Sequence, residues 1–143
     1  MNNCILISAS EIVKTCASQP LRGKRLLEPL KSISSTHHIP LNILEDVEIT
    51  ETEAEVHLNE ADLWFGLEGE VTFICGGTLV RPTLRKNANG TENPNELKGE
   101  DIVGGKEIIV RSGDWLWIPA GQPHKHICNG VGRVIIIKIP QQS

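Results

Sequence analysis

The chain has 143 residues and a formal net charge of -4, and only 3% of its residues are aromatic. This length predicts a single domain that can bury a sizeable core. The mild charge, without a basic face rich in aromatic residues, argues against nucleic acid as a partner. No apolar run reaches the length of a membrane span, so no membrane association is expected.

The four cysteines are scattered along the chain without a C-x-x-C pair. The first residues, Met-Asn-Asn, lack the charged start of a secretory signal. Both observations predict a reducing, cytoplasmic environment with free thiols, although the sequence also leaves oxidised pairing open.

The first 40 residues predict an N-terminal helix and an arm. Ser8-Ala-Ser-Glu11 fits a capping box, which predicts a short helix through about Ala17. Residues 21–35 carry four basic side chains and predict a solvated strand or arm at a sheet edge rather than an anion site. His37 and His38 fall in a stretch of loop character, and adjacent side chains on an extended chain point in opposite directions. We interpret both as surface residues.

Residues 41–143 predict an all-β sandwich or barrel. Short segments of β-branched or aromatic residues follow a period of two and are separated by glycine-containing turn signals. Residues 81–99 are polar and contain Asn87-Ala-Asn-Gly90, which predicts a long surface loop. The predicted strands cover residues 47–52, 55–58, 63–67, 71–75, 107–110, 115–118 and 134–139.

The stretch from Gly113 to His124 predicts a strand, a corner and a second strand. Pro119 ends the first strand because it lacks a backbone donor, and Gly121 permits a tight corner. His124 then begins a second strand and points in a defined direction from a rigid support. A hairpin histidine without a function is the alternative.

A second stretch offers further metal donors. Glu55 and His57 are two residues apart, so they share one face of a strand. If residues 58–61 form a four-residue connection, His57 and Asp62 become cross-strand neighbours. Imidazole and carboxylate together suit iron, manganese, zinc or nickel. The alternatives are an exposed strand charge for Glu55, a turn cap for Asp62, a hydrogen-bonded barrel histidine for His57 and a loop charge for Glu60.

These stretches resemble the two motifs of the cupin superfamily. The second motif is glycine, five residues, proline, any residue, glycine, two residues and histidine, and this chain matches every position. In the first motif, counted back from a glycine, Asp62 stands in place of the glutamate. His57 matches the second histidine, and Glu55 occupies the place of the first. The matching residues of the second motif are Gly113, Pro119, Gly121 and His124.

The resemblance implies a double-stranded β-helix, or jelly roll, with a short N-terminal helix before it. It also implies one divalent metal (iron, manganese, zinc or nickel) held by His57, Asp62 and His124, with Glu55 as a fourth donor. Two histidines and one carboxylate are similar to the facial site of non-haem iron oxygenases. Glu55 and His126, which shares a face with His124, are the candidate catalytic groups. Lys138 points either inward or to the outer face of the sheet.

Three functions follow from this reading. The first is a metal-dependent enzyme acting on a small molecule, either a dioxygenase or an isomerase or lyase. The second is a non-catalytic module that binds a small ligand, and the third is a structural or regulatory oligomer with a filled barrel. Many cupins form dimers, and we expect a homodimer here, with residues 21–30 as its seam.

Overall fold

The structure, a computed structural model, describes residues 3–143. Helix α1 (Ala9–Cys16) begins where the sequence predicts, because the side chain of Ser8 accepts a hydrogen bond from the backbone N–H of Glu11 at 3.2 Å. Strand β1 (Gly23–Leu26) lies at a sheet edge beside β2 (Leu41–Ile49), as expected for the arm.

Helix α2 (Leu30–His37) was not predicted from the sequence. Its residues, rich in serine and β-branched side chains, have low helix propensity. Tertiary packing outweighs that propensity, because Leu30 is fully buried against Leu27 and Ile43. His37 is the last residue of α2 and His38 caps it with a left-handed backbone; both are exposed, as predicted.

Two antiparallel sheets form the rest of the molecule, and one long strand takes part in both. The first sheet has the order β11-β4-β12-β2-β1, and the second has the order β10-β5-β12-β3-β8-β7. The short strands β6 and β9 pair separately. The strands after β2 are β3 (Ala54–His57), β4 (Glu60–Glu68), β5 (Glu70–Cys75), β6 (Thr78–Leu79), β7 (Thr83–Lys86), β8 (Glu92–Gly99), β9 (Ile102–Val103), β10 (Lys106–Arg111), β11 (Trp115–Ile118) and β12 (His124–Pro140).

Strand β12 joins the two predicted strands 124–128 and 134–139 into one element of 17 residues. Its beginning pairs with β5 and β3, and its remainder pairs with β2 and β4. The transfer falls at an irregularity between Cys128 and Val131, where Gly130 has a positive φ of 85°. One backbone therefore carries side chains into the barrel from both sheets.

The prediction of a long loop for residues 81–99 was wrong. Strands β7 and β8 form a hairpin there, closed by a turn in which the N–H of Asn87 bonds the carbonyl of Thr91 at 2.7 Å. Because the hairpin is largely exposed, its strands lack the alternating apolar pattern that would reveal them. Strand β8 also pairs with β3, which places Glu96 directly opposite His57.

Two apolar clusters form the core. The barrel cluster surrounds Trp64, Phe73 and Ile136, and the other cluster packs α1 and α2 against β2. Leu27 and Leu30 are 1% and 0% exposed within this second cluster. These two leucines are therefore not available at a dimer seam along residues 21–30.

The division into residues 1–40 and 41–143 stays a prediction. None of the helices within residues 3–143 combines the length and apolar character needed to cross a bilayer.

Candidate metal centre

The predicted donors lie at the ends of three strands. Glu55 and His57 are on β3, Asp62 is near the start of β4, and His124 is the first residue of β12. His124 and Glu55 are directly opposite in the β12–β3 ladder. The predicted cross-strand pairing of His57 with Asp62 was wrong, because β3 pairs with β8 and β12 while β4 pairs with β11 and β12. The barrel nevertheless brings the two side chains together.

Glu55, His57 and His124 form a group whose ligand atoms all lie within 4.8 Å of one another, and Asp62 approaches both histidines. Oε1 of Glu55 lies 3.7 Å from Nε2 of His57 and 3.7 Å from Nε2 of His124. Oδ2 of Asp62 lies 3.7 Å and 3.2 Å from the same two nitrogens. Ligand atoms about 2.0–2.2 Å from a common ion are separated by roughly 3.0–3.6 Å in tetrahedral or octahedral sites. The spacing therefore suits a shared divalent ion.

Two of these atoms are buried without a hydrogen-bond partner. They are Oδ2 of Asp62 and Nε2 of His124, which lie 3.2 Å from each other in an ion-pair contact and make no hydrogen bond to any other group of residues 3–143. Asp62 and His124 are each 1% exposed. A buried polar atom left unpaired costs free energy, so a cation between these two atoms would stabilise the folded chain.

The other ring nitrogen of each histidine is already bound. Nδ1 of His124 donates to the carbonyl of Gln122 at 3.0 Å, and Nδ1 of His57 bonds the carboxylate of Glu96. This arrangement leaves Nε2 of both rings directed at the common point, as metal-binding histidines require. Glu96 was missed by the sequence analysis, since nothing local distinguishes it from other polar residues of its hairpin. Glu60 and Glu96 also form a second donor group with His57.

The corner before His124 is hydrogen-bonded to the end of β3, which carries the donors Glu55 and His57 of the first motif. Gly121 has a positive φ of 87°, a conformation that favours glycine, and its N–H donates to the carbonyl of His57 at 2.8 Å. The predicted turn thus fixes the start of β12 against the end of β3. This contact explains physically why the two motifs act as one site.

The charges of the site are coupled. Burial raises the pKa of Asp62, but His124 and Lys138 outweigh burial and lower that pKa to about 2. Burial also raises the pKa of Glu55, and the nearby His57, His124 and Lys138 again lower it below its ordinary value. Burial lowers the pKa of His124, whereas Asp62, the carbonyl of Gln122 and Glu55 raise it. Both carboxyl groups are therefore ionised near neutral pH.

Lys138 points into the barrel. Its ammonium lies 2.6 Å from Oδ1 of Asp62 and 3.3 Å from Nε2 of His57. The sequence left both directions open for this residue, because it interrupts an apolar run. A positively charged side chain therefore already contacts two of the candidate metal donors.

His126 lies on the same inward face as His124 but belongs to a different group. Its Nδ1 bonds Oδ2 of Asp46 at 2.5 Å, and its ring packs against Trp64 at a centroid distance of 5.3 Å. Nζ of Lys24 lies 3.4 Å from Nε2 of His126. This pattern assigns the imidazole proton to Nδ1, where it is donated to Asp46, and leaves Nε2 as an acceptor. Asp46 gave no signal in the sequence.

A cavity of about 360 Å³ adjoins the donors. Glu55 and Lys138 form part of its wall, and His126, Trp64 and Lys24 form another part. The volume lies at the lower end of the range of small-molecule pockets, about 300–1,000 Å³. Among the candidate metal donors, Glu55 therefore shares this space with the His126 group, whereas His57, Asp62 and His124 are not part of its wall.

Comparison with known proteins identifies solved structures that have a similar fold. No protein-family model matches the chain, and no curated protein matches it. Among solved structures, iron(II) HppE has a TM-score of 0.52 and is 13% identical over 97% of this chain and 64% of its own. Cobalt(II) HppE in complex with Tris buffer has a TM-score of 0.48 and is 14% identical over 85% of this chain and 55% of its own.

Hydroquinone 1,2-dioxygenase from Sphingomonas sp. TTNP3, solved with 4-hydroxybenzoate, has a TM-score of 0.42 and is 11% identical over 71% of this chain and 60% of its own. The chain thus spans less than two thirds of each of these proteins. The two-sheet barrel and its similarity to iron(II) HppE establish the fold, which is a double-stranded β-helix of the cupin type preceded by a short helix. The fold predicted from the two motifs is confirmed.

Proposed function

We propose that this protein binds one divalent metal ion through His57, Asp62, His124 and Glu55, and uses it as an enzyme on a small molecule. The observation that carries the proposal is the convergence of two imidazole nitrogens and two carboxylate oxygens at separations of 3.2–3.7 Å. HppE, solved with iron(II) and with cobalt(II), shares the fold, which supports a metal in this barrel.

The residues present fit such an ion. A cation would bind both Oδ2 of Asp62 and Nε2 of His124, which otherwise contact each other at 3.2 Å, and the Nδ1 bonds of both histidines orient the rings. Two carboxylates would neutralise a divalent charge. A set with this many oxygen donors favours the harder candidates, iron(II) and manganese(II), over zinc and nickel.

When bound, the ion would supply a Lewis acid and, if redox-active, a means of using oxygen, which fits an oxygenase-like reaction or an isomerase or lyase. The chain supplies the proton-handling groups. Asp46 holds the proton of His126 on Nδ1, so Nε2, which lies 3.4 Å from the ammonium of Lys24, is the ring nitrogen that can accept a proton from a molecule in the cavity. Glu55 is ionised, lies on the cavity wall and is the second candidate base.

A non-catalytic ligand-binding barrel is the second candidate. The specific observation in its favour is the ion pair of Lys138 with Asp62, because an ammonium at 2.6 Å supplies a positive charge to a donor without any metal. A filled barrel with only a structural role agrees less well with the cavity beside the donors.

Metal analysis of protein purified without a histidine tag tests the first proposal. We expect about one ion per chain in the wild type, lost in His124→Ala and retained in His38→Ala, which removes an exposed histidine outside the barrel. His126→Gln should keep the ion, since His126 is a proposed base and not a ligand. A folded wild-type protein that binds none of the four candidate metals would refute the metal site and favour the ligand-binding barrel.

We also propose a cytoplasmic homodimer. All four cysteines are free thiols, which agrees with a reducing compartment. Trp115 and Trp117 are 60% and 45% exposed on the edge strand β11, where they lie opposite Phe65 and Leu63. Such an apolar surface suits contact with a second copy. Sedimentation at micromolar concentration should show a dimer that Trp117→Glu dissociates; a wild-type monomer would contradict the proposal.

A further inference from the structure

The wall of the cavity is rich in positive charge. Five basic side chains line it, against two acidic ones, Glu53 and Glu55. The chain as a whole has the opposite balance, with 14 basic and 18 acidic residues. Positive charge is therefore concentrated around this one space. The basic residues are Lys24, Arg85, Lys98, Lys125 and Lys138.

Four of these five cations form ion pairs within the protein. Lys138 pairs with Asp62 at 2.6 Å and Lys125 pairs with Asp101 at 2.7 Å. The guanidinium of Arg85 lies 3.2 Å from Glu55, and Lys98 lies 3.7 Å from Glu53. At these four positions, a carboxylate therefore compensates most of the positive charge.

Lys24 is the exception. Within residues 3–143 it has no carboxylate within ion-pair distance, and its ammonium instead lies 3.2 Å from the carbonyl of His126 and 3.3 Å from Nδ1 of that ring. Desolvation lowers the pKa of Lys24, although Asp46 and Glu55 act in the opposite direction. An ammonium with this environment lacks an anionic partner.

We propose that the molecule bound in this cavity is a small organic anion, a carboxylate or a phosphate, whose charged group binds Nζ of Lys24. This inference deepens the proposed function and rests on it for the position of the metal. The rest of the molecule then lies between Lys24 and the donor Glu55, which lines the cavity, while the donor Asp62 is buried outside its wall. A bound divalent ion would cancel the charge of those two carboxylates, which makes the cavity still more attractive to an anion.

The bound anion also falls within reach of the proposed base. Lys24 contacts both ring nitrogens and the carbonyl of His126, so an anion held by Lys24 is placed next to Nε2 of His126. Lys24 is thus a positioning residue. Arg22, Lys24 and Lys31 are all exposed, as expected for a solvated edge; Lys24 is the basic residue of that stretch that also lines the cavity.

Calorimetric titration of the metal-loaded protein tests this inference with three probes: succinate, inorganic phosphate and the neutral succinamide. We expect one site for an anion, with succinamide at least about tenfold weaker, because a charge-assisted hydrogen bond contributes about 1.5–3 kcal/mol. The tighter of the two anions identifies the carboxylate or phosphate class. Equal binding of succinamide and succinate, with no phosphate binding, would overturn the inference.

Two substitutions of Lys24, compared with one control substitution elsewhere, assign the anion binding to Lys24. Lys24→Met should weaken anion binding at least about tenfold, Lys24→Arg should largely restore it, and Lys31→Met on the exposed face of α2 should leave it unchanged. Addition of the anion should shift the NMR signals of the His126 ring in the wild type but not in Lys24→Met. Unchanged affinity in a folded Lys24→Met protein would overturn the inference.

The metal content of the same samples separates this inference from the proposed function. If the protein holds its ion but Lys24→Met binds the anion like the wild type, the inference fails and the metal site stands. If the protein holds no ion and an anion still binds through Lys24, the inference stands and the metal proposal fails.

Discussion

Lys138 and Asp62 are directly opposite each other in the ladder between β12 and β4, and their side chains form an ion pair of 2.6 Å inside the barrel. The same ammonium lies 3.3 Å from Nε2 of His57. A metal ion at the proposed site therefore competes with a charge that the protein itself provides.

Replacing Lys138 with methionine should increase the affinity for the metal. The substitution removes a positive charge next to the ion and frees Asp62 and His57, so we expect affinity about tenfold tighter or more. Competition with a chromophoric chelator measures the change, with Lys106→Met on the exposed part of β10 as the control. Weaker binding in Lys138→Met would mean that the lysine supports the site rather than competing for it.

The same variant should be less stable than the wild type when metal-free. Asp62 then loses its nearest cation while it stays 1% exposed. Because Lys138 is itself partly exposed, we expect a loss of only about 1–2 kcal/mol in the free energy of unfolding. Denaturant titrations with and without metal measure it, and added metal should restore the stability. A metal-free variant as stable as the wild type would contradict this expectation.

Glu96 should control the orientation of His57. Glu96→Gln weakens the bond that holds Nδ1 of the ring, and loss of such a partner typically lowers metal affinity about 10–100-fold. Glu92→Gln, an exposed change on the same strand, is the matched control. The chelator competition assay gives the readout, and equal affinities in the two variants would show that the ring is held by other contacts.

A buried ion pair fastens the N-terminal segment to the barrel. Arg133 lies 2.7 Å from Glu45 and donates to the carbonyls of Cys16, the last residue of α1, and Ser18, two residues later, at 2.6 Å each. Burial raises the pKa of Glu45, but Arg25, the N–H of Leu21 and Arg133 outweigh it and lower that pKa below its ordinary value of 4.5. The ionised carboxylate is therefore a source of stability.

Glu45→Gln should cost about 2–4 kcal/mol near neutral pH. Because the folded pKa of Glu45 lies below its unfolded value, this stabilisation is complete above about pH 4.5 and is lost as the pH falls through the folded pKa. The difference between variant and wild type should accordingly shrink in acid. Urea titrations across pH measure it against Glu107→Gln, an exposed control. A difference that stays constant with pH would exclude the linkage.

Cys128 should resist alkylation. Burial, with contributions from Asp46 and Glu48, raises the pKa of its thiol to about 11, and the side chain is 3% exposed. At pH 8 the thiolate is scarce, so iodoacetamide should modify the exposed Cys4 long before Cys128. Peptide mass spectrometry over time gives the order of modification. Early labelling of Cys128 would show that the barrel opens locally.

The sequence was informative where the physics is local. The corner between β11 and β12 depends on a proline without a donor and on Gly121 with its positive φ, and both features are readable from a single stretch. Glu96 and Asp46 could not be predicted, because each acquires its role from a histidine that is distant along the chain. Helix α2 escaped prediction for a related reason: its stability comes from burial of Leu30, not from propensity.

Even-numbered side chains of β12 turn toward the interior on both sides of the irregularity at Gly130: His124, His126 and Cys128 before it, and Val134, Ile136 and Lys138 after it. Deleting Asn129 would shift the register of β12 by one residue in its later half alone. The two histidines would stay where they are, while Lys138 rotates outward and an isoleucine takes its place. A change in backbone length alone would thus exchange the inward ammonium for an apolar side chain, and it would also turn the buried Val134 and Ile136 outward.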